Sequence, residues 1–291
     1  MTAPTPALES RRSAYPSGHR EPPSYVSAAI RVFELSFGEM LWSRRTIFMA
    51  LVVGGPVVLA VITRVLQASG IPPLRVNSVR IGSSGIFGVM IWLLFLRFIV
   101  PVLGVFYGTS LVADEVEDKT ITYLFTRPIQ RGAVLLGKYV AYLVCTTLVV
   151  LPSVMIVYFM LVPFNEVAST FGALLKDLGI LALGLAVYGG VFAFIGALLK
   201  RPLVIGLIFA LGWEQVALVM PGYLKRFTIA YYVQALVPHA MPSADTTSLL
   251  QSILRDVPSA GAALFWLFFA LVVSLALGIR TIERREYVLE Q

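Results

Sequence analysis

The residues able to do chemistry in this sequence are few: two histidines, one cysteine and sixteen carboxylates among 291 residues. His19 and His239 are far apart, and neither stands beside another ligand-type residue at metal spacing, so no zinc site is expected. Cys145 sits inside an apolar run, where a lone thiol is inert packing and has no intrachain disulfide partner. Asp114, Glu115, Glu117 and Asp118 crowd together but lack the glycine and the spacing of a calcium loop. They read as the polar surface of a helix end. Gly132 and Gly137-Lys138 spell the start of a phosphate-binding loop. Tyr139, however, stands where a Ser or Thr hydroxyl must reach magnesium, and no buried strand precedes the motif. No catalytic, cofactor-binding or metal-binding residue is expected.

Two charges stand out by position. Arg97 and Glu214 interrupt apolar stretches, and ionisable groups inside a membrane are costly enough to make them candidates for function. Arg97 lies 15 residues, or ~22 Å along a helix, from Val112, and Glu214 lies 11 residues, or ~16 Å, from Leu203. A long arginine side chain can bridge that difference. The two therefore either pair near the middle of the bilayer or snorkel separately.

The elements that must carry these residues follow from composition. Apolar residues make up 58% of the chain and charged ones 13%, with a mean hydropathy of +0.83. One globular core cannot bury that excess, so lipid must solvate much of the surface. The predicted architecture is an all-α membrane protein. Residues 1–23, rich in Pro, Ser and Arg, read as a disordered tail, and residues 24–291 as one transmembrane domain. Six spans are expected near 47–66, 86–113, 139–165, 178–199, 202–220 and 257–279. Before them, Val26, Ile30, Phe33, Phe37 and Leu41 recur at helical steps, predicting an amphipathic helix in the membrane interface. Gly54-Gly55-Pro56 predicts a kink in the first span, and Gly104 with Gly108 a close helix contact.

The net charge of +7 does not signal nucleic acid, because the basic residues punctuate the ends of apolar runs. With the amino terminus inside, residues such as Arg44, Arg45, Lys119, Arg127, Arg131, Lys138, Lys200, Arg201 and Arg280 face inward. They and their neighbours outnumber the outward set of Arg64, Arg75, Arg80, Lys176, Lys225, Arg226 and Arg255. Both termini are expected in the cytoplasm.

The segment after the second span carries a more specific pattern. It runs Asp114-Glu115-x-Glu117-Asp118, Thr120-Ile121-x-x-Leu124, Arg127-Pro128-Ile129-x-Arg131 and Gly137-Lys138-Tyr139, and it resembles the signature of ABC type-2 transporter permeases. A second similarity is Gly212-Trp213-Glu214 followed by the apolar stretch 224–236. The resemblance spans about residues 25–285. It implies six helices behind an interfacial elbow helix, a homo- or heterodimer of permease chains, and two copies of a separate ATP-binding subunit that holds ATP and magnesium. It further implies that 114–131, with Asp114, Glu115, Glu117, Asp118, Thr120, Arg127, Pro128 and Arg131, couples the bundle to that subunit. A bacterial inner-membrane exporter is the expected setting. Alternatives are a self-contained secondary transporter or channel, a membrane enzyme, or a subunit that transmits force without transport. The first wants inverted repeats and several intramembrane carboxylates, and the second convergent catalytic groups at one depth. Neither pattern is present in the sequence.

Overall fold

The computed structural model describes residues 24–70, 75–76, 79–80, 83–117, 131–220, 223–237 and 258–284. These are almost entirely helical. Helix α1 is Tyr25–Leu41, opened by Ser24, whose hydroxyl oxygen accepts from the Ser27 N–H at 3.4 Å. Helix α2, Arg44–Ala68, runs through Pro56 without a break. Pro56 offers no N–H to the Val52 carbonyl, and at the next residue the Ser153 hydroxyl of a neighbouring helix donates to the Val53 carbonyl at 3.1 Å. Gly70, at φ 76°, closes α2 in the left-handed conformation that suits glycine. A short antiparallel ladder follows, β1 (Arg75–Val76) with β2 (Val79–Arg80).

Helix α3 covers 83–117. Two of its stretches, Met90–Ile99 and Gly104–Gly108, are wound as π-helix. Helix α4 is Arg131–Leu161 and α5 is Phe164–Leu198, joined by only Val162 and Pro163, so they form an antiparallel pair. Helix α6 covers 202–219, opens at Pro202 and is π-helical over Ile208–Trp213. After a 3₁₀ turn at Tyr223–Phe227 comes α7, Ile229–Leu236, and finally α8, Ala260–Arg284.

Five of these helices are long and apolar enough to cross a membrane: Arg45–Ala68, Ser84–Ala113, Gly132–Leu161, Phe164–Leu198 and Ala260–Arg284. The remaining expected segment appears as a shorter apolar helix, Pro202–Leu218. The third and fourth spans, α4 and α5, begin earlier than the apolar windows read from sequence, and the third ends at Leu161 rather than near 165. Arg131 and Lys138 form the first turns of α4, and the polar stretch around Glu166 and Lys176 continues α5.

Helix α5 is the hub, packed against α3, α4 and α8, while α1 and α2 lie on α4. In the most apolar stretch of each span, 61% of α3 and 56% of α5 is buried, against 22% for α2 and for α8. The core thus sits around α3 and α5, and α2 and α8 show most of their apolar surface outward. The Gly104–Gly108 step is used as a contact. A Cβ on Gly104 would stand 2.6 Å from the Tyr188 Cβ, and one on Gly108 would stand 2.9 Å from the Phe192 Cβ. Only hydrogen lets α3 and α5 approach that closely.

Candidate functional site

The two charges marked by the sequence, Glu214 and Arg97, each centre a polar grouping within this apolar frame. The first centres on Glu214, fully buried where the π-helical turn of α6 gives way to α-helix. Its Oε2 accepts a hydrogen bond from the Tyr188 hydroxyl of α5. Its Oε1 accepts from the Ile229 N–H at 3.0 Å. Ile229 is the first residue of α7, and Thr228 before it makes no side-chain cap; its hydroxyl donates instead to the Lys225 carbonyl at 2.7 Å. Glu214 therefore acts as the cap that α7 lacks, satisfying an otherwise orphaned N–H and placing a carboxylate at the positive end of the helix. One side chain ties α5, α6 and α7 together.

The second grouping centres on Arg97, in the π-helical part of α3. Its Nε donates to Gln215 Oε1 at 2.6 Å, and Gln215 Nε2 donates back to the Arg97 carbonyl at 3.2 Å. The guanidinium lies 5.4 Å from the centroid of the Trp92 ring. Arg97 and Glu214 thus reach the same two-residue step of α6 and meet different groups: Arg97 takes Gln215 where a direct pair would have taken Glu214. The carboxylate is turned inward to Tyr188 and α7, while the guanidinium stays half-buried against Gln215 and Trp92. Gln215 and Tyr188 escape a search for charges, though a glutamine beside an intramembrane glutamate is a visible signal. Tyr188 has none, being one of twelve tyrosines in the chain.

A third region lies at one end of the bundle. A Cβ on Gly132 would stand 2.9 Å from Ile279 Cγ2 and 3.0 Å from the Tyr25 hydroxyl. The starts of α1 and α4 and the end of α8 therefore meet there. The Glu283 carboxylate is also beside Gly132, and burial first, then this charge, pushes the Tyr25 hydroxyl above its ordinary 10.0. A Cβ on Gly137 would stand 2.5 Å from the Ala29 carbonyl and 2.9 Å from the Val32 Cβ. The glycines that mimic a phosphate loop are the seat of α1 on α4. Helix α1 turns its small residues, Ala28 and Ser36, inward and leaves Val26, Ile30 and Leu35 exposed, while Phe33 and Phe37 stack at 5.7 Å.

Of the 114–131 segment, the backbone of Asp114, Glu115 and Glu117 belongs to the last turn of α3, and Arg131 opens α4. Asp118, Thr120, Arg127 and Pro128 lie outside the described residues. The two feet of the segment are joined, because Lys138 Nζ on α4 donates to the Leu111 carbonyl on α3 at 3.3 Å. Among the described residues no group of His, Cys, Asp and Glu could hold a metal ion.

Comparison with known families gives one match, over residues 22–287, to the family described as ABC-2 family transporter protein. No curated protein matches the chain. Because the match runs from just before α1 to just past α8, taking in the five long apolar helices and both polar groupings, this chain belongs to the ABC-2 transporter family and is a multi-pass membrane permease component of an ABC transporter.

Proposed function

We propose that this chain is the permease subunit of an ATP-driven exporter in a bacterial inner membrane, with both termini in the cytoplasm. It works as a dimer with a second permease chain, identical or related. Two copies of a separate ATP-binding subunit dock on it and hold ATP and magnesium; this chain hydrolyses none. Helix α6 forms the fifth of six spans, and α1 lies in the membrane interface with Val26, Ile30 and Leu35 toward lipid.

The observation that carries this reading is the family match over 22–287. The arrangement of helix ends supports the coupling part of it. Residues 118–130 leave α3 and enter α4 between feet bonded through Lys138 and Leu111, at the end of α4 where α1 and α8 also meet. A segment so anchored acts as a handle. Force applied between its feet reaches α3, α4, α1 and α8 together, and α3 passes it to α5 through the tight Gly104 and Gly108 contact. Asp114, Glu115, Glu117, Asp118, Arg127 and Arg131 supply the charges by which a soluble partner would grip that handle.

The test is purification of the tagged chain from its own cells in mild detergent, with identification of co-eluting proteins. A P-loop ATPase is expected, and it should be lost when Asp114, Glu115, Glu117 and Asp118 are changed to their amides. ATP hydrolysis by the chain alone, or solute movement driven by an ion gradient without a partner, would sink the proposal.

A further inference from the structure

We infer that Arg97 is the anion-recognising residue of a cargo site, and that the cargo is an anionic amphiphile, a phosphate or carboxylate carried on an apolar chain. The inference rests on the permease reading and names the substrate class for it.

The depth of Arg97 comes first. It stands 13 residues from Ser84 and 16 from Ala113, the bounds of its span, and so close to the midpoint of that span. Its Cα is therefore near the middle of a hydrocarbon layer ~30 Å thick, ~15 Å from either edge. An arginine that snorkels must extend toward an edge. This one is held locally instead, with Nε on Gln215, the Trp92 ring against the guanidinium, and Gln215 returning a bond to the Arg97 backbone.

What that pose leaves open matters more. A guanidinium carries its donors in a planar fork, and only Nε is used here. Among the described residues the Nη groups have no hydrogen-bond partner and no carboxylate lies within ion-pair distance; Glu214, one residue from Gln215, is committed to Tyr188 and Ile229. The two helices that meet at Arg97 and Gln215 also expose apolar side chains. Val89, Leu93 and Phe98 on α3 and Leu211, Trp213 and Val216 on α6 are all exposed. A full positive charge offered from such a surface at mid-depth is costly against lipid chains, so the face must meet something that supplies negative charge. A planar fork fixed at its Nε side is preorganised for two-point binding of a carboxylate or phosphate. The exposed apolar side chains of both helices suit an attached hydrocarbon chain, which a free inorganic ion would not need.

The test uses the full chain in nanodiscs of phosphatidylcholine, titrated with dodecyl phosphate, dodecanol and inorganic phosphate, with empty nanodiscs subtracted. The wild type should bind dodecyl phosphate at least about tenfold more tightly than dodecanol, the scale of one charge-assisted hydrogen bond, and inorganic phosphate far more weakly. Arg97→Gln should remove the preference for the charged headgroup. Arg97→Lys, which keeps the charge without the fork, should retain only part of it and keeps the test usable if the glutamine variant does not fold. Equal binding of dodecyl phosphate and dodecanol by the wild type, an unchanged preference in folded Arg97→Gln, or inorganic phosphate binding as tightly as dodecyl phosphate would each overturn the inference. Because this measurement needs no ATPase, a selective site without a co-purifying ATPase would count against the permease proposal alone. A captured ATPase with no headgroup preference would count against this inference alone.

Discussion

Replacing Glu214 by leucine keeps the volume of the side chain but removes both acceptors. The Tyr188 hydroxyl and the Ile229 N–H are then left buried without a partner. Each orphaned donor costs about 1–3 kcal/mol, so the single change should destabilise by about 2–6 kcal/mol. Adding Tyr188→Phe takes one of the orphans away. The double variant should therefore be more stable than Glu214→Leu alone, although Tyr188→Phe in the wild-type background is itself destabilising. Interhelical bonds in membranes measure toward the low end of such ranges, ~0.6–2 kcal/mol, so the expected recovery is about 1 kcal/mol. The assay is denaturation by sodium dodecyl sulphate from mixed micelles, followed by helical circular dichroism in all four proteins. Hydrogen exchange gives a second readout, because loss of the cap should free the first amides of α7 while α5 keeps its protection. If the double variant is less stable than Glu214→Leu by the full cost of Tyr188→Phe, Tyr188 and Glu214 are not partners, and unchanged exchange of the first α7 amides in Glu214→Leu would refute the cap.

Further outcomes follow from other contacts. Gly104→Ala should destabilise by about 1–3 kcal/mol, since its Cβ would stand 2.6 Å from the Tyr188 Cβ; Gly172→Ala, in open space on α5, should be neutral or slightly stabilising in the same denaturation assay. Tyr25 gives a pH dependence. Its hydroxyl is raised above 10.0 in the folded chain, so the neutral form contributes stability that is complete below 10.0 and lost as pH rises through the higher folded value. Tyr25→Phe should flatten the fall in apparent melting temperature above pH 10.0, and an unchanged alkaline slope would refute it.

The apolar windows of α2, α3 and α8 are legible as soon as hydropathy is read, and so is an amphipathic period over α1. The family is legible from 114–139, a stretch whose coupling residues lie partly outside the described structure. Helix limits were less so. The polar residues that begin α4 and α5 carry no apolar signal, yet packing and continuous backbone bonding keep them helical. The glycines at 132 and 137 show the same limit more sharply: their spacing mimics a phosphate loop, and only the approach of α1 reveals what they are for.

Composition by itself determined that this chain is solvated by lipid, because no arrangement of a single core could bury so many apolar residues. It also marked Arg97 and Glu214, since a charge in an apolar run is conspicuous in one dimension. Their partners are another matter. Arg97 meets Gln215 across 118 residues and Glu214 meets Tyr188 across 26, and which neighbour wins depends on the rotation of each helix about its axis. That rotation is set by side-chain packing between helices, the close glycine contact of α3 with α5 included. Tertiary structure alone turned the carboxylate inward to cap α7 and set the guanidinium against Gln215 and Trp92.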